Sequence, residues 1–139
     1  MSVKPILQPG PNHPITIEPN SSRIVVTVAG RVVADTTRAL RLQEAKYAPV
    51  DYIPIEDVDQ TLLERTDHSS YCPFKGDAGY FSIPLGGEQS KNAIWIYENP
   101  FEAVALIKDH VAFYPNRVES ITEHPAAAAR EGNNNPTRP

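Results

Sequence analysis

The sequence predicts a mainly β fold of the α+β kind: one compact, largely antiparallel sheet, bent or partly closed, with two short helices. Three observations predict it. Short runs of β-branched and aromatic residues alternate at period two, glycine- and proline-bearing turns separate those runs, and only two stretches switch to helical spacing. A chain of 139 residues is the size of one domain and buries a core without disulfides or metals as staples.

Taken in order, residues 1–14 read as an irregular N-terminal segment, because Pro9, Pro11 and Pro14 interrupt it among polar residues. Ile15 and Ile17, two apart, mark a short edge strand that opens a single β-rich domain at residues 15–122. Arg23 to Val28 is β-branched and ends at Ala29-Gly30. Arg31 to Asp35 then resumes the alternation, as a hairpin with glycine in its turn does. Ala39 to Glu44 puts Leu40 and Leu42 on one face and Arg41 and Gln43 on the other, although a short helix fits these residues nearly as well. Pro54 to Arg65 changes period. Ile55, Val58 and Leu62 recur at helical spacing behind the acids Glu56, Asp57 and Asp59, which favour a helix start. A second helix is expected from Asn99-Pro100 to about Lys108, with Glu102 completing a capping-box pattern. Strands are expected at Gly79 to Ile83, Ala93 to Tyr97, Val111 to Tyr114 and Val118 to Ile121, with Leu85-Gly86-Gly87-Glu88 as a turn, making about eight strands in all. Residues 123–139, with Ala126 to Ala129 and Asn133 to Asn135, hold little to bury and read as a disordered tail.

Charge and cysteine content narrow the function. Seventeen acids against thirteen bases give a net charge of -4, with no basic block to follow a phosphate backbone, so no nucleic-acid partner is expected. One cysteine allows no internal disulfide and suits a reducing cytoplasm. Met1 to Pro5 lacks an apolar signal region, and no apolar run approaches the roughly 18 residues of a membrane helix, so no membrane association is expected. His13, His68, His110 and His124 fall at no ligand spacing, and neither a metal nor another cofactor is expected. A homodimer is compatible with the sequence, which specifies no partner for it.

Gly30-Arg31-Val32-Val33-Ala34-Asp35-Thr36-Thr37-Arg38-Ala39, then Glu44, Asp51-Tyr52-Ile53-Pro54, Asp57-Val58, Cys72-Pro73-Phe74-Lys75-Gly76, Trp95-Ile96-Tyr97, Pro100 and Ala112-Phe113-Tyr114 stand in one order along the chain. In that order they resemble the family called domain of unknown function 427, from about Ser22 to Ile121. The resemblance implies a domain whose activity is not established. A nucleotidyltransferase-like label attached to that family adds little, because a Gly-Ser pair followed by paired metal-binding aspartates is not visible and Gly86-Gly87-Glu88 is a poor substitute. Asp51 departs from the pattern, in which an aromatic often precedes Tyr52.

The chemistry centres on Cys72-Pro73-Phe74-Lys75-Gly76. Proline at the second position of a type I turn makes Cys72 the first residue, so its sulfur would face the NH groups of Phe74 or Lys75, and those donors plus an ammonium would stabilise a thiolate. The same residues also read as packing, with Cys72 a small buried hydrophobe and Lys75 a solvated turn residue. Gly76 and Gly79 either admit a ligand close to the backbone or simply shape a loop before Tyr80. Arg38 offers a bidentate anion site and Glu44 a proton acceptor beside Tyr52, or the two are surface charges. Trp95 and Tyr97, two apart on a strand, share one face and form either a stacking wall with Tyr80 or one side of the core.

Two functions follow from these residues. The first is binding of a small planar metabolite, with an anionic end where Arg38 and Lys75 meet it, between the Cys72-Gly76 turn, the Trp95/Tyr97 strand and the Arg38-Tyr52 segment. The alternative is a small enzyme with Cys72 as nucleophile, Lys75 holding its thiolate and Glu44 handling protons, or the transferase activity that the family label carries. A protein-interaction module using an exposed strand edge is a third class.

Overall fold

A computed structural model of the chain describes residues 4–125. Of the tail expected at 123–139, Glu123 and His124 instead belong to a strand, held there by pairing with Ile24 and Arg23, and residues 126–139 lie outside the described residues. Ten strands are found among them: β1 (Ile15–Asn20), β2 (Arg23–Val28), β3 (Arg31–Thr36), β4 (Ala39–Glu44), β5 (Val50–Pro54), β6 (Glu64–Cys72), β7 (Gly76–Ser82), β8 (Ile94–Ile96), β9 (His110–Phe113) and β10 (Ser120–His124). Seven form one sheet in the order β1-β4-β5-β9-β8-β7-β6, and three form another in the order β10-β2-β3. Every pairing is antiparallel. No helix among the described residues is long and apolar enough to cross a membrane.

The expected hairpin joins β2 to β3 through Ala29 at φ 50° and Gly30 at φ 78°, the left-handed pair that a two-residue turn between twisted strands requires. Its apolar side chains, Ile24, Val26, Val28 and Val33, pack on Ile53, Ile94, Val111 and Phe113 of the large sheet. Each such residue removed from water contributes roughly 1.5–3 kcal/mol, so this interface is the main core. Strand periodicity then sends the intervening residues of the large sheet to its other face. There Leu42, Tyr52, Ala78, Tyr80, Tyr97 and Ala112 meet Val104 and Ile107.

Both helical segments are present but wound as 3-10 turns, at Ile55–Asp57, Gln60–Leu62 and Glu102–Ile107. The first stretch is interrupted because Val58 is extended and bridges to Ala34 of β3, while the Asp59 side chain accepts from the Thr61 NH and starts a new turn. The second begins at Phe101 without the expected Asn99 cap, and Val104 leaves helical geometry. Val104 and Ile107, three apart as a 3-10 face demands, are its buried anchors. Two strands lack a sequence signature. β6 is a polar edge strand, and β5 is short and ends in proline.

The large sheet curls. β4 and β7 are separated by three strands, so a flat sheet would hold them roughly 19 Å apart at the usual strand spacing. Yet Lys75, in the β6/β7 turn, forms an ion pair with Glu44 at the end of β4. Residues before β1 cross the remaining seam: the Leu7 NH donates to the Pro73 carbonyl at 3.0 Å, the Tyr71 hydroxyl donates to the Pro5 carbonyl, and Lys4 pairs with Asp77.

Candidate functional site

The curl shapes a cavity of about 300 Å³, open to solvent on one side, on the face away from the three-stranded sheet. Alternation along each strand supplies its walls: Leu42 and Glu44 from β4, Val50 and Tyr52 from β5, Ser70 and Cys72 from β6, Tyr80 from β7, and Trp95 from β8 with Tyr97 just beyond it. Tyr47, Tyr71 and Tyr114 complete the lining. All six tyrosines of the chain, its single tryptophan and its single cysteine therefore meet at one place.

At one end Lys75 is only 7% exposed, and its ammonium is taken up by Glu44. The second Glu44 oxygen lies 2.8 Å from His13 Nε2, and the His13 ring stacks on Phe74 at 4.0 Å and 5°. Burial alone would push the Glu44 carboxyl up. Hydrogen bonds and charge from Lys75 and His13 outweigh it and hold the group below its ordinary value. The turn has the expected form, with the Lys75 NH donating to the Cys72 carbonyl at 3.1 Å. Gly76 follows at φ 112°, and the Phe101 NH donates to the Lys75 carbonyl at 3.0 Å.

The hydroxyls differ in what they touch. Trp95 Nε1 donates to the Tyr52 hydroxyl at 3.1 Å, with the rings edge to face. Tyr80 shares a hydrogen bond of 2.8 Å with Ser70. Tyr114 lies 4.5 Å from the Trp95 ring, and its hydroxyl is pushed up to about 12 by burial and by the Tyr80 hydroxyl. Burial also drives Tyr52 and Tyr97 well above the ordinary phenol value, so both are neutral donors.

Of the residues proposed from sequence, Cys72, Lys75, Glu44, Tyr52, Tyr80, Trp95 and Tyr97 share this cavity, and Gly76 adjoins it in the turn. Arg38 does not. It is exposed and holds Asp57 at 3.0 Å with Glu56 at 3.5 Å, because the 3-10 turn at Ile55–Asp57 places two carboxylates beside the start of β4. The Lys75 ammonium, expected beside the Cys72 sulfur, is paired with Glu44, a carboxylate being the stronger partner for a cation. Asp51 leaves the cavity wall intact. It is one residue from Tyr52, so it points to the other face and pairs with Arg41 at 2.9 Å. His13 was missed, since it reaches Glu44 from the segment before β1 across 31 residues and no local pattern marks that contact. Among the described residues no three or more His, Cys, Asp or Glu side chains are grouped to hold a metal ion.

These features define a class: a small curled antiparallel β domain with a tyrosine-lined cavity closed at one end by a buried ion pair. Residues 16–124 match the model of the family described as a domain of unknown function (DUF427), and the chain belongs to that family. No curated protein matches the chain.

Proposed function

We propose that this domain binds a small planar metabolite in the tyrosine-lined cavity, as a free-thiol protein of the cytoplasm. The observation that carries the reading is the convergence of every tyrosine, the only tryptophan and the only cysteine on one recess. Core packing alone gives no reason to collect the polar-tipped aromatics on one side of a sheet whose other side is aliphatic apart from Phe81 and Phe113. Lys75 is matched by Glu44 and Arg38 by Asp57, so an uncharged ligand fits better than an anionic one. For the same reason a nucleotide triphosphate, which needs unspent cations, is the less favoured occupant.

Trp95 is the only tryptophan, so its fluorescence reports the cavity directly. In a panel of aromatic and heteroaromatic metabolites, at least one compound is expected to change Trp95 emission and raise the melting temperature together. Silence across the panel at about 1 mM, the weak end of specific binding, would rule the reading out. Catalysis through Cys72 is the second reading, favoured by a partly exposed thiol lining the same cavity. Cys72→Ser separates the two: in a binding domain it leaves ligand affinity as the only activity to measure and nearly unchanged, whereas in a thiol enzyme it keeps the ligand and stops its conversion.

A further inference from the structure

We infer that the ligand presents an uncharged carbonyl oxygen to the hydroxyls of Tyr97 and Tyr52, with its planar body against Trp95 and Tyr114. This rests on the reading of the cavity as a binding site, and it names what the site selects.

Tyr97 is the leading observation. Its side chain is buried to 7% exposure and lines the cavity, and among the described residues its hydroxyl has no hydrogen-bond partner. That hydroxyl lies in the electrostatic reach of Tyr52, Cys72, Tyr80 and Glu44, so it belongs to the polar interior of the recess. Native structures leave few buried donors without an acceptor, and those left are where a ligand or water completes the set. Tyr52 adds a second donor. Its oxygen already accepts the Trp95 indole NH at 3.1 Å, which leaves its own proton to give. Both phenols are held neutral by burial, so they are donors at physiological pH.

Charge decides between a carbonyl and a carboxylate. Lys75 and Glu44 neutralise each other, and the second Glu44 oxygen is engaged by His13. Among the residues lining the cavity the one cation, Lys75, is already paired, so an anion would find no lining charge to offset its desolvation, whereas a neutral oxygen needs only the two hydroxyls. Trp95 and Tyr114, 4.5 Å apart, supply apolar area for the rest of the molecule, and about 300 Å³ holds a compound of one or two fused rings.

The test compares 1-indanone with indane, a pair that differs by the carbonyl oxygen, using calorimetry on the full chain. Wild type is expected to bind 1-indanone roughly tenfold more tightly, the discrimination of a buried hydrogen-bond donor left unpaired by the hydrocarbon. Tyr97→Phe, which keeps the ring, is expected to bring the ratio close to one. Tyr52→Phe serves as a second variant, and an unchanged melting temperature shows that each is folded. Equal affinities in wild type, or a preference that survives both substitutions, overturn the carbonyl assignment while the cavity still binds. If neither compound binds, the assignment is overturned as well. The metabolite panel then shows whether the cavity reading falls with it.

Discussion

Lys75 holds a long, flexible cation out of water against a single carboxylate. Removing one member of such a pair leaves the other buried without its counter-charge, which is more damaging than never having had the pair. Lys75→Met should therefore destabilise the domain by about 2–4 kcal/mol in urea denaturation at neutral pH, and adding Glu44→Gln should recover part of that loss. The Glu44 carboxyl is depressed in the folded state, so its contribution is complete above the ordinary glutamate value of about 4.3 and is lost as pH falls through the lower folded value. Lys75→Met should flatten that acid-side decline; an equally steep decline would show that other carboxylates cause it. In the sequence Lys75 stood out as the cation of the Cys72-Pro73-Phe74-Lys75-Gly76 run. Its partner, 31 residues away, had no rule of spacing to betray it.

At the scale of elements the β6/β7 hairpin sets the site, since its turn aims Lys75 while its strands carry Ser70, Cys72 and Tyr80 to the cavity. Gly76 makes this turn possible at φ 112°, and a Cβ there would sit 3.3 Å from the Asn99 carbonyl oxygen. Gly76→Ala should cost about 1–3 kcal/mol through a strained backbone, seen as a lower melting temperature. A fall no larger than that of Gly10→Ala, at an open position with ordinary backbone, would show that the turn adapts. β7 was legible because apolar residues alternate along it. Its partner β6 was not: Glu64–Cys72 is an edge strand with six of its nine residues exposed, and polar residues on an edge protect it from unwanted pairing at the expense of the period-two signal. The 3-10 turns were misread as longer helices for a related reason, because spacings of three and four fit a single turn of either kind.

Across the whole molecule, burying Tyr52 and Tyr97 in one recess ties their ionisation to folding. Tyr52 and Tyr97 ionise above the ordinary phenol value when folded, so the unfolded chain releases those protons first, and the stability they contribute below about pH 10 is lost as pH rises. In an alkaline titration, the tyrosinate absorbance of Tyr52 and Tyr97, read as the part lost in a Tyr52→Phe/Tyr97→Phe double variant, should appear together with loss of near-ultraviolet circular dichroism. Full ionisation with the folded signal intact would mean that these phenols are in open contact with water. The strand periods, the Ala29-Gly30 hairpin, the Cys72-Gly76 turn and the sharing of one face by Trp95 and Tyr97 can all be read from the amino-acid order, because each depends on residues close together in the chain. The pairing of Arg38 with Asp57, the grouping of Lys75 and His13 on Glu44, and the gathering of six dispersed tyrosines around one cavity come from the three-dimensional arrangement. Those outcomes depend on strand order and sheet curl, which arise from burying two faces of one sheet at once and leave no mark in local spacing.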